Sequence, residues 1–292
     1  MPRRPDRRSG VEVYILGAGK VGRALHAACR SKGIGVTLRP ARRPLPPRID
    51  CAILVLAVRD RELHALAERI AAAKILSPRA VCVHAAGALD AAPLAPLAAA
   101  CAGVAQMHPM ISFASLRRFP SLARGNVHVQ GDRRAVARAR SLASRLGMTP
   151  RSIGGLDPVG YHAAAGLVAN GAAALAAIGV ALLGRAGVTK PVACKMLGPL
   201  LRSVADNVEA LGFPDALTGP VRRGDPHAIE RAIGVIEARL PGAMPLFLEA
   251  GLAQLPLARE LGEGPPGGLD AIEAIFRKEI ARLQSQRILS AL

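Results

Sequence analysis

The sequence predicts an N-terminal α/β domain with a doubly wound parallel sheet, followed by an all-helical C-terminal domain. Three observations predict it. Short apolar runs alternate with amphipathic, helix-length segments through the first half of the chain. The first of those runs, 11–16, leads into Gly17-Ala18-Gly19-Lys20-Val21-Gly22, a glycine turn that opens a helix. From Asp157 onward no strand-like run occurs, and long helical stretches are separated by breaks bearing Pro and Gly.

Taken in order, strands are expected over 11–16, 35–39, 51–58, 80–85, 103–107 and 126–130, with helices over 20–31, 61–73, 91–101 and 133–146. The unbroken apolar string Cys51-Ala52-Ile53-Leu54-Val55-Leu56-Ala57-Val58 suits a parallel strand covered on both faces. Residues 39–50 are rich in Pro and Arg and read as a loop. Later helices are expected over 158–186, 190–210, 226–239, 241–260 and 268–290. The domain plan is a disordered basic tail over 1–10, a nucleotide-binding domain over 11–154 and an all-helical domain over 155–292. The tail carries Arg3, Arg4, Arg7 and Arg8 without an apolar segment, so it is not read as a signal peptide.

The chain has 292 residues, 51% of them hydrophobic, and a formal net charge of +18, which excludes wholesale disorder and invites a nucleic-acid partner. That partner is not expected. The basic residues are spread along the chain, and aromatics make up only 2%, leaving no stacking platform for bases. The charge suits small anionic ligands instead. The five cysteines, Cys29, Cys51, Cys82, Cys101 and Cys194, form no close pair in sequence and no zinc spacing, so no metal is expected and a reducing cytoplasm is. The run 163–184 is free of charge for 22 residues, but it is mostly Ala and Gly with Asn170 inside. It is read as a helix buried on nearly every face, at the heart of a domain or a dimer, rather than as a membrane span.

Each glycine of the turn has a task. Gly17 permits the sharp bend, Gly19 leaves room for a pyrophosphate beside the backbone, and Gly22 lets the helix pack on the strand. Lys20 and Val21 supply N–H groups at the helix start. After the second strand, where an NAD enzyme places an acid, stands Arg39-Pro40-Ala41-Arg42-Arg43. Arg39 and Arg42 point to NADP(H), whose 2′-phosphate takes guanidinium contacts. Three further segments fall at predicted strand C-termini, where open α/β sheets bind ligands. They are Ala57-Val58-Arg59-Asp60, Val83-His84-Ala85-Ala86-Gly87-Ala88 and Gln106-Met107-His108-Pro109-Met110-Ile111-Ser112-Phe113. Val58 and Ala86 are candidate cofactor contacts. Read without further context, a His-Pro pair after a strand is a structural turn as readily as a site.

Four strings together resemble a known group: the glycine turn, His108 to Phe113, Tyr161-His162-Ala163-Ala164-Ala165 with Asn170, and Leu217-Thr218-Gly219-Pro220-Val221-Arg222-Arg223-Gly224-Asp225. The chain, from about residue 11 to its end, resembles Rossmann-like proteins whose helical C-terminal domain is a domain of unknown function. These are similar in turn to the 6-phosphogluconate-dehydrogenase-like reductases, including pyrroline-5-carboxylate reductase and ketopantoate reductase. The resemblance implies hydride transfer with NADP(H) and a homodimer built on the helical domain. It departs in two places. Gly166 stands where the 3-hydroxyacid enzymes have a Lys, four residues before Asn170, and Ala86 replaces the usual Ser.

His162, Gly166 and Asn170 are spaced by four and share one helix face. In this reading His162 is the general acid, Asn170 holds the substrate or orients His162, and His108 is the rival acid. The alternative is a core His with a helix-packing Asn. Ser112, Thr218 and Arg223 are candidate substrate contacts, Arg223 as a carboxylate clamp. Arg223 could equally pair with Asp225, which precedes Pro226 as a candidate cap for the helix from 226. The expected function is an NADP(H)-dependent oxidoreductase of small 2-oxo or imino acids. The alternative is a dinucleotide-binding sensor without turnover.

Overall fold

The computed structural model describes residues 12–291, with side chains to residue 286, so the expected basic tail over 1–10 lies outside the described residues. The described chain forms two compact units, Met1–Ala169 and Asn170–Leu292. The division falls inside a long helix, later than the 154/155 boundary expected from composition.

The first unit holds a seven-stranded sheet in the order β2-β1-β3-β4-β5-β6-β7. Its strands are β1 (Val13–Leu16), β2 (Val36–Arg39), β3 (Ile53–Leu56), β4 (Val81–His84), β5 (Val104–Pro109), β6 (Asn126–Gly131) and β7 (Thr149–Arg151). Helices α1 (Lys20–Ser31), α2 (Asp60–Ala73) and α3 (Arg133–Arg145) cover it. Alternate residues of each strand face opposite layers. Val13, Ile15, Ile53 and Val55 pack with Leu25 and Cys29 of α1 and Ala139 and Leu142 of α3. Tyr14, Leu16, Leu54 and Leu56 pack with Leu63, Leu66 and Ile70 of α2.

Three local expectations change. The segment expected as a helix over 91–101 is a short 3₁₀ turn, Ala92–Leu97, with the interior Pro96 lacking the N–H a regular helix bond needs. β6 runs antiparallel to β5, because the connection 110–125 contains no helix to carry the chain back for a parallel pairing. β7, only three residues long and written Thr-Pro-Arg, carries no strand signal in sequence and pairs parallel to β6.

In the second unit α6 (Pro226–Arg239), α7 (Met244–Leu252), α8 (Leu255–Leu261) and α9 (Gly268–Ala291) enclose a core around Ile229, Ile233, Met244, Leu248 and Phe276. Gly251 makes room for the Phe276 ring, which lies 2.4 Å from where a Cβ would stand. The other two helices are α4 (Pro158–Arg185), which starts in the first unit, and α5 (Lys190–Leu211). Within the single chain none of the residues of α4 is buried, so it is not enclosed at the heart of a domain as one of the two expected settings would have it. Ile178 and Leu182 touch the helical core, and the described residues of one chain leave the rest of this apolar helix uncovered.

Candidate functional site

The glycine turn is built as its spacing requires. Gly17 has φ +121°, and a Cβ there would stand 2.2 Å from the Ala57 carbonyl oxygen at the end of β3. A Cβ on Gly22 would stand 1.8 Å from the Gly17 carbonyl oxygen, so α1 lies too close to the turn for any side chain. Gly19 differs from both. It is the N-cap of α1, and nothing lies within 4 Å of its would-be Cβ. It offers no side-chain cap, and the first turn of α1 carries no acid. The helix start therefore keeps uncapped N–H groups and its positive end, a fit for an anionic phosphate approaching the Gly19 backbone.

Gly19, Lys20 and Val21 line one end of a cleft of about 720 Å³ within the first unit. Ala57, Val58, Arg59 and Asp60 follow β3 into it, and Ala85, Ala86 and Gly87 follow β4. The other end is made by His108, Pro109, Ile111, Phe113, Leu116 and His162. Adjacent parallel strands end at one level, so their C-terminal loops converge there.

His108 and His162 meet over Gly87. From the position a Cβ would take on Gly87, His162 Nδ1 lies 2.3 Å away and His108 Nε2 lies 2.7 Å away. The two rings pack edge to face with centroids 5.6 Å apart. Asp157 puts His162 there: its carboxylate accepts from the N–H groups of Val159 and Gly160 at 3.0 and 2.8 Å, starting α4 with Pro158 at its first position. Tyr161, one residue before, places its hydroxyl 3.1 Å from His108 Nδ1.

Electrostatics keeps His108 neutral. Burial first, and then the neighbouring His162, His128 and His84, push its pKa down to about 4, so it is neutral at pH 7. Burial raises the Tyr161 pKa, so its hydroxyl keeps its proton and shares a hydrogen bond with His108 Nδ1. The other ring nitrogen, Nε2, faces Gly87.

Beneath the cleft lie the polar side chains that are buried among the described residues: His84, Gln106 and His128. His84 Nδ1 accepts from the Ala86 N–H at 3.1 Å and Nε2 donates to the Asp90 carbonyl at 2.5 Å. Burial lowers the pKa of His84 and of His128. This sets a sign for acid stability. The unfolded chain protonates these imidazoles near pH 6.5, while the native chain resists down to about 4 at His108. Stability is thus full above pH 6.5 and is lost as pH falls toward 4. Urea unfolding at pH 7.5 and pH 5 is expected to differ by about 2 kcal/mol from His108 alone. A flat profile between those values would contradict the buried, neutral state of these rings.

The structure brings seven sequence-predicted residues into one cleft: Gly19, Lys20, Val21, Val58, Ala86, His108 and His162. Gly17 and Gly22 build the turn without lining it. Arg39 and Arg42 do not line the cleft. The Arg39 guanidinium is held by the Pro44 carbonyl at 2.6 and 3.1 Å, and Arg42 is exposed. Ser112 is exposed beside the cleft-lining Ile111 and Phe113. Asn170, Thr218 and Arg223 belong to the second unit, where all three are exposed. There Asp225 caps α6, accepting from the Ala228 N–H at 3.0 Å. The 215–222 loop is held by Arg222, which pairs with Glu263 and donates to the Asp215 and Leu217 carbonyls. Sequence reasoning missed Gly87, Tyr161 and Arg59 as site residues, although all three stand inside strings already singled out.

Comparison with known proteins follows the same outline. A family described as a domain of unknown function (DUF2520) matches residues 126–249, from β6 through most of α7. No curated protein matches the chain. Among solved structures, the chain is similar to a candidate NADP oxidoreductase from Bacteroides fragilis, with 19% identity and TM-score 0.66 over 84% of this chain and 98% of that one. It is similar to a protein from Thermotoga maritima, with 22% identity and TM-score 0.60 over 85% and 98%. It is also similar to a Plasmodium falciparum pyrroline carboxylate reductase with NADP bound, with 12% identity and TM-score 0.59 over 87% and 97%. These likenesses show the fold, a Rossmann-like sheet domain with a helical C-terminal region.

Proposed function

We propose that the chain is an NADP(H)-dependent oxidoreductase acting on the carbonyl or imine carbon of a small 2-oxo or imino acid. The observation that carries this reading is one cleft with an open glycine at an uncapped helix start and, at its other end, two imidazoles converging on Gly87. The likeness of fold to a pyrroline carboxylate reductase with NADP bound supports it. When bound, the dinucleotide supplies the hydride. The chain's residues do the rest. Gly19, Lys20 and Val21 hold the pyrophosphate, with Lys20 and Arg59 adding positive charge. Val58 and Ala86 bound the nicotinamide end.

His162 gives the proton to the substrate oxygen or nitrogen, and being exposed it is reprotonated from solvent. His108 is too weakly basic to be that acid; in the tautomer whose Nδ1 accepts from Tyr161, its Nε2–H donates to the same atom instead. The two nitrogens stand no farther apart than their summed distances to the Gly87 Cβ position, a gap one substrate atom spans with two hydrogen bonds. Asn170, Ser112, Thr218 and Arg223 are proposed substrate contacts on the strength of the family resemblance. The absence of an acid after β2 favours NADP(H), with Arg39 shaping the loop that presents Arg42. Binding without turnover is the competing reading, favoured by Gly166 and Ala86 where the wider group has Lys and Ser. Incubation with NADPH and a panel of 2-oxo acids and cyclic imines separates the two. Oxidation of NADPH by a panel member is expected, faster than with NADH; tight NADPH binding with no turnover would favour the sensor.

We further propose a cytoplasmic homodimer through the helical domain. α4 is long and apolar enough to cross a membrane, yet Ala and Gly contribute little to insertion. Leu175 on it, and Val192, Met196 and Leu200 on α5, are each about half exposed. An apolar face of this extent on a soluble chain marks an interface. Light scattering on protein purified without detergent is expected to give twice the mass of one chain. A monomer, or recovery from membranes alone, would contradict the proposal.

A further inference from the structure

The centre of a sheet like this one is normally apolar, and a buried amide or imidazole is tolerated only when every polar atom finds a partner. Gln106 and His128 meet that condition in full, and their partners include the Ala86 and Gly87 carbonyls of the cleft. Gln106 lies opposite His84 in the β4–β5 register and is fully buried. Its Nε2 donates to the Ala86 carbonyl at 3.0 Å and to the Gly87 carbonyl at 3.3 Å. That orientation leaves Oε1 as an acceptor, and His128 Nδ1 lies 3.0 Å from it. His128 Nε2 accepts from the Ile153 N–H at 3.4 Å, so its proton sits on Nδ1. The His128 ring also packs against Tyr161, with centroids 5.5 Å apart.

One amide and one imidazole therefore tie together two segments that approach the cleft from different directions. One is the β4 loop that carries Gly87. The other is the segment through Ile153 that leads into α4, where Tyr161 and His162 stand. Surface loops seldom need such a tether, and placing polar groups this deep carries a desolvation cost that stability alone does not require. We propose that Gln106 and His128 are positioning residues, which fix the spacing between Gly87, the Tyr161–His108 pair and His162 without touching the substrate. This inference rests on the reductase reading of the cleft.

The test uses the full chain and reads the histidine rings by ¹⁵N–¹H correlation, which needs no turnover. In the wild-type protein His128 is expected as the Nδ1–H tautomer; an Nε2–H tautomer would overturn the proposal even if every variant fails to fold. His128→Asn places an amide N–H where Nδ1–H was, whereas His128→Leu removes the donor. Both remove the charge of ring 128, so a difference between them reads the hydrogen bond. The groups that face His108 and bear on its titration are His162 and Tyr161 on α4, His128 on β6 and His84 on β4. His128→Asn is expected to keep the His108 titration low, and His128→Leu and Gln106→Leu to raise it by more than one pH unit as Tyr161 loosens and water enters. On any active panel substrate, the two Leu variants are expected to lose about 10–100-fold in kcat with NADPH affinity unchanged, and Asn to recover most of it. Folded Leu variants with an unmoved His108 titration would show that the network serves the fold alone. A moved titration with no turnover in any variant, wild type included, would leave the tether standing and sink the reductase reading instead.

Discussion

His162→Ala is expected to lower turnover by about 10²–10⁴ while leaving NADPH affinity unchanged. The imidazole lines the far end of the cleft from Gly19 and Lys20, so its loss does not reach the phosphate-binding end. It is the exposed member of the pair over Gly87, and His108, held neutral, has no imidazolium proton to offer in its place. His108→Ala is expected to cost less, in the range for loss of one hydrogen-bond donor to a developing charge, about 10²–10³. Asn170→Ala should also lower turnover, and its loss should not add to that of His162 if the two act as a unit. Steady-state kinetics and a cofactor titration on the same preparations check all three. Full turnover in His162→Ala with none in His108→Ala would reverse the assignment of the acid.

Gly87→Ala is the second large effect. The added methyl would lie 2.3 Å from His162 Nδ1 and 2.7 Å from His108 Nε2, distances no carbon tolerates. His162 is exposed and free to swing away, so the fold is expected to survive with a modest loss of stability, about 1–3 kcal/mol. Turnover should not survive in the same way. A displacement of the acid by about 1 Å is enough to cost roughly 10²-fold. Normal kinetics in Gly87→Ala, with an unchanged melting curve, would mean that the imidazoles do not act together at this point.

The fold was largely legible because its signals are local. Continuous apolar strands, a glycine turn and a change to helical periodicity each declare themselves within a short window, and β1, β3 and β4 fall inside their expected ranges. β7 was not legible, since three residues containing a proline become a strand only through pairing with β6. The direction of β6 depends on a loop whose path the sequence does not encode locally. The setting of α4 is not legible in the sequence, because apolar composition says that a helix wants covering and not which chain covers it.

The site divides in the same way. The glycine turn is a sequence motif, and its local geometry follows from its spacing. The proposed catalytic end is assembled from β4, β5 and α4, and only the fold shows that His108, Tyr161 and His162 share a neighbourhood with Gly87. Gln106 opens the string that holds His108 and His128 sits in a run that reads as ordinary strand, and the positioning role proposed for them is visible only from the partners of each polar atom. Arg39 was chosen for its charge, whereas the structure engages its guanidinium with the Pro44 carbonyl.

Calorimetric titration of NADPH into the wild-type chain and into Gly19→Val tests the central claim most directly. Gly19 has extended backbone and open space around its would-be Cβ, so valine is accommodated with the melting temperature unchanged, and its branched side chain stands where the phosphate must approach. Saturable binding of one NADPH per chain by the wild type, reduced at least tenfold in affinity in Gly19→Val, is the predicted result. No binding to the wild type, or equal binding to a folded Gly19→Val, would contradict the account.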